Sequence, residues 1–541
     1  MAYEQTKLVE LVDRAVNHRW SIPEFQRGFV WKPTQVRDLA DSLWRDYPIG
    51  SLLLWNSDGQ VEERIALDAQ HPNQWLVDGQ QRTTALCVLF GRKPYWWQSA
   101  DEWNNILKRY DIRFDIDAKE FLVANASIRA AKGNRYVRLS DLLNLDTQKE
   151  QDQKSLMDLA RDIKRQNLCS GMDAMEVYTR LDGVRKIRDK EVVTVSVAHE
   201  LEDVVEIFAR LNSQGTRVTE ADIYLGYVAA RNPGWVRDHF LPYCNSLTEA
   251  GFDVNPNLVF RSITGVGENK TRFKDIPNTF WDSGQMLPAW SRTKVAWQHL
   301  IMFFRDYGIL CNDILPTEAA LVTMVCLINK FSDRSHLDLA LYWFLQASRL
   351  GRYSGSSTTS LDEDLRDIQE ANNLNEAVQK LLRHLRHEDP IVPEDFLRDY
   401  SDSRFGRFIL YLLVYRNKAL DWDENSYRIG FEGVEAMAGF RPQWHHIFPK
   451  KYLEGKRVNE FTDALANIAV IGPKINIRIS DKSPLDYVRK YKISDQKLCQ
   501  QFIDPGFVNV PSNEYENWVY QRATQLAKQA NAFLGELKAR L

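Results

Sequence analysis

The sequence predicts a multidomain α+β protein with an α/β N-terminal region, a mostly helical middle and a C-terminal ββα unit embedded in helices. Three observations support this prediction. Strand and helix patterns alternate over the first hundred residues, helical periodicity dominates from Asp222 to about residue 430, and His445 and His446 stand side by side before a short apolar strand. The predicted domains comprise residues 1–230, 231–400 and 401–541.

Composition excludes several classes of protein. No apolar run reaches the roughly 18 residues that a membrane span requires, and no secretory leader opens the chain, so we expect a cytoplasmic protein with no membrane segment. The cysteines are scattered without a Cys-x-x-Cys pair, which argues against a zinc knuckle or a disulfide framework and favours buried free thiols. They are Cys87, Cys169, Cys244, Cys311, Cys326 and Cys499.

Charge is divided unevenly along the chain. Residues 441–541 contain 16 Lys and Arg against 10 Asp and Glu, an excess of six positive charges, whereas the whole chain carries −3. The remainder therefore carries −9. A positive field around the paired histidines suits a polyanionic substrate, and the alternative is a solvated surface of mixed charge.

The N-terminal region reads as alternating helices and strands. A helix starts at Pro33 and ends before Pro48, residues 51–55 and 74–77 form buried strands, and residues 83–90 form a helix. The residues between the second strand and that helix occupy the kind of junction where backbone amides and a helix dipole bind phosphate. They are Asp78, Gly79, Gln80, Gln81 and Arg82.

Further along, residues 191–198 predict a third strand, followed by a helix through Val204 and Leu211. Loops are expected at 265–270 and 351–360, and an amphipathic helix from Asn513 is expected to pack on the C-terminal unit. The strand-like segment 258–263 precedes Gly265-Val-Gly-Glu-Asn-Lys-Thr271, which resembles a P-loop. Because Asn269 replaces the glycine that should precede the lysine, we interpret this segment as an exposed loop.

The paired histidines have the layout of a one-metal nuclease centre. Phosphodiester hydrolysis needs an activated water, a cation and a rigid frame. His446 is the candidate base, since an ordinary imidazole is largely neutral near pH 7. His445 and Asn476 are the candidate metal ligands, and Asn467 would brace the His446 loop by hydrogen bonds. The alternative is that both histidines belong to an aromatic core with Trp444 and Phe448.

The second half of the pattern favours the nuclease interpretation. Asn467 opens the apolar strand that ends at Ile471, Gly472-Pro473 turns the chain, and residues 474–479 return Asn476 and Arg478, with Lys482 shortly after, toward the histidines.

These residues resemble a known family. His445-His-Ile-Phe-Pro449, Asn467-Ile-Ala-Val-Ile471, Asn476 and Lys482-Ser-Pro-Leu-Asp-Tyr487 are similar to the HNH, or His-Me finger, nuclease domain at the C-terminus of GmrSD-type restriction enzymes. Many members carry Asp or Glu where this chain has His445. The resemblance implies a divalent metal, Mg²⁺ or Mn²⁺, with the softer Ni²⁺ or Zn²⁺ left open.

Two N-terminal motifs also carry a resemblance. Ile22-Pro-Glu-Phe-Gln26-Arg27 and Asp78-Gly-Gln-Gln-Arg82 combine arginine, amides and glycine in the way a nucleotide site does, although each alone is equally compatible with a loop satisfied by its own hydrogen bonds. With Tyr47-Pro-Ile-Gly-Ser51 they resemble the N-terminal half of the GmrSD family, whose fold is related to the ParB/sulfiredoxin nucleotide-binding domain. The resemblance implies that an NTP binds at Gln26, Arg27 and residues 78–82, and that its hydrolysis licenses DNA cutting.

The resemblance extends to Phe208-Ala-Arg-Leu-Asn-Ser-Gln-Gly215 and Arg352-Tyr-Ser-Gly-Ser356 and thus spans nearly the whole chain. It implies a nucleotide-regulated type IV endonuclease that cuts double-stranded phage DNA carrying hydroxymethylated or glucosylated cytosines. Two alternatives stay open: a nucleotide-gated DNA-binding regulator without nuclease activity, and a nuclease that senses another mark such as phosphorothioate. The helical middle is a candidate recognition region, and the sequence leaves a homodimer open.

Overall fold

A computed structural model of the protein describes residues 2–540 except 24–27, 57–73, 98, 132, 134, 170, 200–202, 205–206, 208–219, 332–336, 356, 386–388 and 431–441. It is a mixed α+β structure, which confirms the predicted fold class. The chain divides into two compact units, Met1–Leu241 and Pro242–Leu541. The finer division into three domains stays a prediction. Within the described residues, no helix combines the length and apolar character of a membrane span.

The elements follow in chain order. The described strands are β1 (Ala2–Lys7), β2 (Leu52–Asn56), β3 (Gln74–Asp78), β4 (Ile112–Asp115), β5 (Glu120–Val123), β6 (Tyr136–Arg138), β7 (Glu191–Val197), β8 (Gln443–His446) and β9 (Ile468–Ile471). The described α-helices of the first unit are Leu8–Val16, Pro33–Trp44, Gln80–Phe90, Ala100–Arg109, Ala126–Ala130, Leu139–Leu143, Glu150–Arg165, Ala174–Arg185 and Glu220–Arg231, and Leu241–Glu249 begins at the boundary. The α-helices of the second unit are Pro256–Glu268, Ser283–Asp306, Ala320–Lys330, Leu337–Arg349, Ser357–Glu370, Leu374–Arg383, Pro393–Leu397, Arg404–Arg416, Lys450–Gly455, Pro473–Ile479, Pro484–Lys490, Asp495–Gln500 and Tyr515–Lys538.

The first unit contains two sheets. The larger has the order β1-β7-β2-β3, in which β2 runs parallel to β7 and antiparallel to β3. Its strand β2 is apolar and buried, as a strand with a neighbour on each side requires. The smaller sheet, β5-β4-β6, is antiparallel throughout.

The structure confirms most of the predicted elements of this unit. The helix Pro33–Trp44 and strands β2, β3 and β7 lie within one residue of the predicted positions. The helix predicted from residue 83 instead begins at Gln80, so three residues of the phosphate motif belong to its first turn. The sequence pattern does not predict β1, because only Thr6 of that polar edge strand is buried. The helix predicted through Val204 and Leu211 falls largely outside the described residues.

The segment that resembles a P-loop is helical, contrary to the prediction. Residues 258–263 are helical rather than strand-like, and the P-loop-like residues from Gly265 to Glu268 complete the same helix, Pro256–Glu268, instead of forming an exposed loop. Asn255 caps this helix through its side chain and Pro256 occupies its first turn, while Phe260, Ile263 and Val266 are buried. Packing against the helices Ser283–Asp306 and Ala320–Lys330 outweighs the strand preference of its β-branched residues. Likewise, the loop predicted at 351–360 ends where a helix starts at Ser357.

The C-terminal helix packs where the sequence predicts. The C-terminal helix is Tyr515–Lys538, and it contacts the C-terminal unit as predicted: buried Arg522 donates to the carbonyl oxygens of Ala466 and Ile468 at 2.6 and 2.9 Å.

The cysteines are free thiols, and five are buried as predicted, but Cys499 is exposed.

A buried ionic network holds the helical core of the second unit together. The Asp364 carboxylate is fully buried and accepts hydrogen bonds from Arg352 Nη2 at 2.9 Å and from the Tyr353 hydroxyl. Burial raises the pKa of Asp364, and the arginine opposes that rise. The network joins the helix Ser357–Glu370 to the segment that precedes it, which is the Arg352-Tyr-Ser-Gly-Ser motif of the sequence.

We expect Arg352→Ala to lower the free energy of unfolding by about 3–5 kcal/mol, because it leaves a buried carboxylate without its cation. Urea denaturation measures this change. Arg366→Ala, on the exposed side of the same helix, is the matched control and should change the free energy of unfolding by less than about 0.5 kcal/mol. Equal effects of the two substitutions would contradict the structural role of the network.

Candidate functional site

The paired histidines lie on a small ββα unit. Strand β8 pairs antiparallel with β9, which places His445 opposite Ala469 and His446 opposite Ile468. Every residue of β9 is buried, so this strand anchors the hairpin in the core. After β9, Gly472 and Pro473 start the helix Pro473–Ile479, which returns Asn476 to the histidines. The segment between the two strands includes the short helix Lys450–Gly455.

Gly472 permits a close approach that no other residue would allow. Its N–H donates to Asp421 Oδ1 at 2.9 Å, and a Cβ atom at this position would lie 2.4 Å from Asp421 Oδ2. Asp421 therefore fixes the start of the helix that carries Asn476. Burial raises the pKa of Asp421, while its hydrogen bonds to the N–H groups of Gly472 and Trp422 lower it.

His445 is buried and directed at Asn476. Only 4 % of the residue is exposed, and its Nδ1 lies 2.9 Å from Asn476 Oδ1. The rings of Trp422 and Tyr487 stand nearly perpendicular to the imidazole, each 5.7 Å away between ring centroids. Burial lowers the pKa of His445 to about 4, so the imidazole is neutral at physiological pH. A neutral imidazole is the form that binds metal ions.

The spacing of these two atoms fits a metal site. Ligands at roughly 2.0–2.1 Å on adjacent corners of an octahedron lie about 3 Å apart, which is close to the observed 2.9 Å. His445 Nε2 is buried without a hydrogen-bond partner among the described residues, so the contact with Asn476 is what orients the ring. Those residues include no cluster of three or more His, Cys, Asp or Glu suited to a metal. The fit therefore involves two protein ligands, with the remaining positions left to water or phosphate oxygens.

His446 is held by a carboxylate that sequence reasoning missed. Its Nε2 lies 2.9 Å from Asp463 Oδ1, and Asp463 Oδ2 lies 2.7 Å from Lys450 Nζ. Burial lowers the pKa of His446, while Asp463 acts in the opposite direction, so the imidazole is neutral near pH 7. Asp463 is 17 residues away in sequence. Its position four residues before Asn467 is the one local signal that could have indicated it.

Asn467 does not line the pocket beside the two histidines and braces the backbone instead. The residue is fully buried. Its Oδ1 accepts the N–H of Phe448 at 2.9 Å, and its Nδ2 donates to the carbonyl oxygens of Phe448 and Thr462 at 3.1 and 2.9 Å. The Asn467 carbonyl also accepts the N–H of Ile447 at 2.8 Å. These bonds fix the turn that directly follows His446.

The two histidines share one pocket although neighbouring side chains of a strand alternate. An open pocket of about 480 Å³ is lined by both histidines, Asn476, Trp444 and Lys450. The strand ends at His446, and the turn held by Asn467 lets both imidazoles reach the same space. Arg478 and Lys482 are not among the lining residues: Arg478 Nη1 lies 3.3 Å from Asp423 Oδ1, and Lys482 Nζ donates to the Arg478 carbonyl at 2.8 Å. Asn476 thus returns to the histidines as predicted, whereas Arg478 and Lys482 bond elsewhere and do not line the pocket.

The first unit presents the second candidate site at the end of β3. Gly79 has φ +99, and a Cβ atom there would lie 2.1 Å from Leu52 Cδ2, so this turn requires glycine. Arg82 Nη2 lies 2.8 Å from Asp78 Oδ2, and its Nη1 donates to the Ile49 carbonyl at 2.8 Å. Arg82 thereby joins the helix start to the Tyr47-Pro-Ile-Gly-Ser51 motif.

The two glutamines of this motif differ. Gln81 Nε2 donates to the Gly28 carbonyl at 2.8 Å, and Gln81 Oε1 accepts the N–H of Val30 at 2.9 Å, so this side chain holds the segment after the first motif. Gln80 is buried, and its Oε1 has no hydrogen-bond partner among the described residues. Gln26 and Arg27 lie outside those residues. The intramolecular alternative thus accounts for Arg82 and Gln81 but not for Gln80.

Comparison with known proteins agrees with the N-terminal motifs. Residues 8–229 match the family model described as the N-terminal domain of GmrSD restriction endonuclease. The match supports the predicted GmrSD-like N-terminal domain and suggests a restriction-endonuclease-related role. The chain is also 21% identical over 537 residues to an uncharacterized protein, MJ0686, of Methanocaldococcus jannaschii, with 91% of this chain and 87% of the relative covered.

We expect Asn467→Ala to lower the free energy of unfolding by roughly 2–4 kcal/mol, because it leaves several buried backbone groups unpaired. Urea denaturation in the presence of a chelator measures the change without a contribution from bound metal. Asn476→Ala is the control, since that half-buried side chain bonds one imidazole and no backbone group, and its effect should stay below about 1 kcal/mol. A larger loss for Asn476→Ala than for Asn467→Ala would contradict the bracing role.

Proposed function

We propose that this protein is a metal-dependent endonuclease that cuts double-stranded DNA under the control of a bound nucleoside triphosphate. The observation that supports the nuclease best is the 2.9 Å approach of His445 Nδ1 to Asn476 Oδ1 in the pocket that also contains His446. Two potential metal ligands and a neutral base thus face the same space. The match of residues 8–229 to the GmrSD N-terminal domain supports DNA as the substrate and a role in restriction.

The residues of the pocket divide the chemistry between them. A divalent cation held by His445 and Asn476 would neutralise charge on the scissile phosphate and the leaving oxygen. Neutral His446 would accept a proton from a water molecule while the water oxygen forms a bond to phosphorus and the bond to the leaving oxygen breaks. Asp463 would hold the imidazole in one orientation and stabilise the imidazolium that results.

The cation expected here is one that tolerates nitrogen together with oxygen ligands. Imidazole suits Ni²⁺ and Zn²⁺, whereas an amide oxygen suits Mg²⁺ and Mn²⁺. The two ligands together therefore leave all four cations as candidates. His445 contributes a buried imidazole that is already neutral, so it loses no proton when it binds metal.

The nucleotide would bind at the start of the helix Gln80–Phe90. The first N–H groups of a helix have no partner within it and attract phosphate. Gln80 adds a buried amide oxygen that has no hydrogen-bond partner among the described residues and could accept from a ribose hydroxyl or a base N–H. A triphosphate would compete with Asp78 and the Ile49 carbonyl for Arg82 and so move the segment before β2. The nucleotide would therefore bind more tightly to a state in which Arg82 has left Asp78 and the Ile49 carbonyl than to the state in which Arg82 is bonded to them. A ligand acts as a switch only when it binds one of two states better than the other.

The proposed target is phage DNA with hydroxymethylated or glucosylated cytosines, which makes the protein a type IV restriction enzyme for phage defence. This part rests on the resemblance of the motifs to GmrSD enzymes. A nucleotide-gated DNA-binding regulator without nuclease activity is the second candidate, favoured by the lack, among the described residues, of a cluster of three or more His, Cys, Asp or Glu that could hold a catalytic metal. A nuclease that senses phosphorothioate DNA is tested by the same experiment.

We expect His446→Ala to abolish DNA cutting, with a loss of at least about 10²-fold, while nucleotide turnover persists. Arg82→Ala should lose nucleotide turnover and, with it, cutting. The measurement is digestion of unmodified, hydroxymethylated, glucosylated and phosphorothioate DNA, with and without each NTP, in Mg²⁺, Mn²⁺ or Ni²⁺, and with a chelator as the metal-free control.

Each outcome discriminates between the candidates. Cutting of modified DNA alone, lost on chelation, supports the proposal. Tight DNA binding without nicking in any of the three metals favours the regulator. Normal cutting by the His446→Ala variant would refute the assignment of the base.

A separate prediction concerns Asp463. We expect Asp463→Asn to reduce the rate constant of cutting about 10- to 100-fold, because the imidazole loses its orienting carboxylate, with the Kd values for DNA and metal unchanged. Asp463→Glu should restore part of the rate. Asp481→Asn is the matched control: Asp481 lines the same pocket and binds Lys451 at 2.5 Å but does not touch His446. A loss of DNA affinity in place of turnover would show that Asp463 is not a positioning residue.

A further inference from the structure

One face of the second sheet carries a cluster of arginines. In the antiparallel register of β4 and β6, Arg113 lies opposite Arg138, while Phe114 and Val137 alternate with them and are buried in the core. The arginines therefore occupy the outer face of the sheet. Arg129, on the short helix Ala126–Ala130 that follows β5, joins them.

A single buried carboxylate organises these three side chains. Asp111 precedes β4 and is 5 % exposed. Its carboxylate lies 3.1 Å from Arg113 Nη2 and 3.4 Å from the Nε atoms of Arg129 and Arg138. The last two arginines also donate through Nη2 to carbonyl oxygens at the end of the helix Ala100–Arg109: Arg129 to Lys108 at 2.7 Å and Arg138 to Leu107 at 3.2 Å.

The cluster keeps an excess of positive charge and of donors. Three guanidinium groups face one carboxylate, and the Nη1 group of each has no hydrogen-bond partner among the described residues. The Arg129 and Arg138 side chains are 44% and 40% exposed. Lys108 and Arg109 are exposed beside them, whereas Asp115, the next acidic residue of β4, is bound to Arg135.

The surrounding sequence reinforces this excess. Residues 108–138 contain eight Lys and Arg against four Asp and Glu, although the chain outside residues 441–541 is acidic. Five of the eight are arginines, whose planar fork suits phosphate oxygens better than a lysine ammonium does. Pairing with Asp111 alone would need one arginine. The other two arginines are held in place but keep N–H groups that are not hydrogen-bonded to the described residues. This is the arrangement expected of a preorganised oxyanion site.

We propose that Arg113, Arg129 and Arg138 form a binding surface for the phosphodiester backbone of double-stranded DNA. The inference rests on the proposed function for its choice of DNA as the polyanion. Contacts of this kind hold the duplex without reading its sequence, and each one releases condensed counterions. The first unit thus binds DNA in its own right through a surface separate from residues 78–82.

The experiment compares double variants that remove two positive charges each. Arg129→Gln/Arg138→Gln leaves Arg113 to neutralise Asp111. Arg161→Gln/Arg165→Gln is the matched control, since these arginines form ordinary pairs with Asp158 and Asp162 on the exposed face of the helix Glu150–Arg165. Arg129→Lys/Arg138→Lys keeps the charge. All are made in full-length His446→Ala protein with chelator, so that no cutting occurs, and thermal unfolding checks that each is folded.

Affinity for an unmodified duplex is measured by fluorescence anisotropy from low to physiological salt. We expect the glutamine variant to bind about tenfold or more weakly. The slope of log K against log salt should fall by about 1.8, or roughly 0.9 for each lost phosphate contact. The control should keep the parent slope, and the lysine variant should recover most of it.

The outcomes separate this inference from the proposed function. Equal slopes for the glutamine variant and the control, in a parent that binds DNA, would overturn the arginine surface and leave the nuclease proposal intact. A lysine variant as weak as the glutamine variant, with both folded, would also overturn it. A parent protein that binds no DNA at any salt would overturn the arginine surface, while the nuclease proposal is judged separately by the digestion of modified DNA with metal and NTP.

Discussion

The geometry of the candidate nuclease centre depends on the hydrogen bonds of one buried amide. Asn467 pairs with both backbone groups of Phe448 and so fixes the turn that follows β8. Without that turn, neighbouring residues of a strand would face opposite sides. With it, His445 and His446 line one pocket. A residue that does not line the pocket thereby sets the positions of the two residues proposed for its chemistry.

Burial provides the second constraint, and it acts differently on the two imidazoles. His445 is enclosed by Trp422 and Tyr487, and the loss of water lowers its pKa to about 4. His446 is less enclosed and has Asp463 as a partner, which offsets part of the same effect. Both imidazoles stay neutral near pH 7. One is thereby suited to bind a cation and the other to accept a proton.

The two compact units use arginine in contrasting ways. In the second unit Arg352 is buried with Asp364 and satisfies it, which is a structural use. In the first unit Arg82 bridges Asp78 and Ile49 at the start of the helix Gln80–Phe90. Around Asp111, several arginines share one carboxylate. Arginines held close together repel one another and lose part of their hydration, which costs free energy. A bound anion would offset that cost. The distribution therefore supports the proposed anion recognition in the first unit, in addition to the pocket proposed for the nuclease.

The sequence alone determined the mixed fold class, the strands around residues 52–56 and 74–78, the glycine turn at Gly79 and the proximity of His445 to Asn476, because these follow from local periodicity and motif spacing. Tertiary structure decided the rest. Asp463 contacts His446, and Asp111 contacts arginines from three elements, because the fold brings distant segments together. Residues 258–263 are helical because they pack between two other helices. Local propensity differs by less than about 1 kcal/mol per residue, whereas burial of one large apolar side chain contributes about 1.5–3 kcal/mol, so tertiary packing prevails wherever the two conflict.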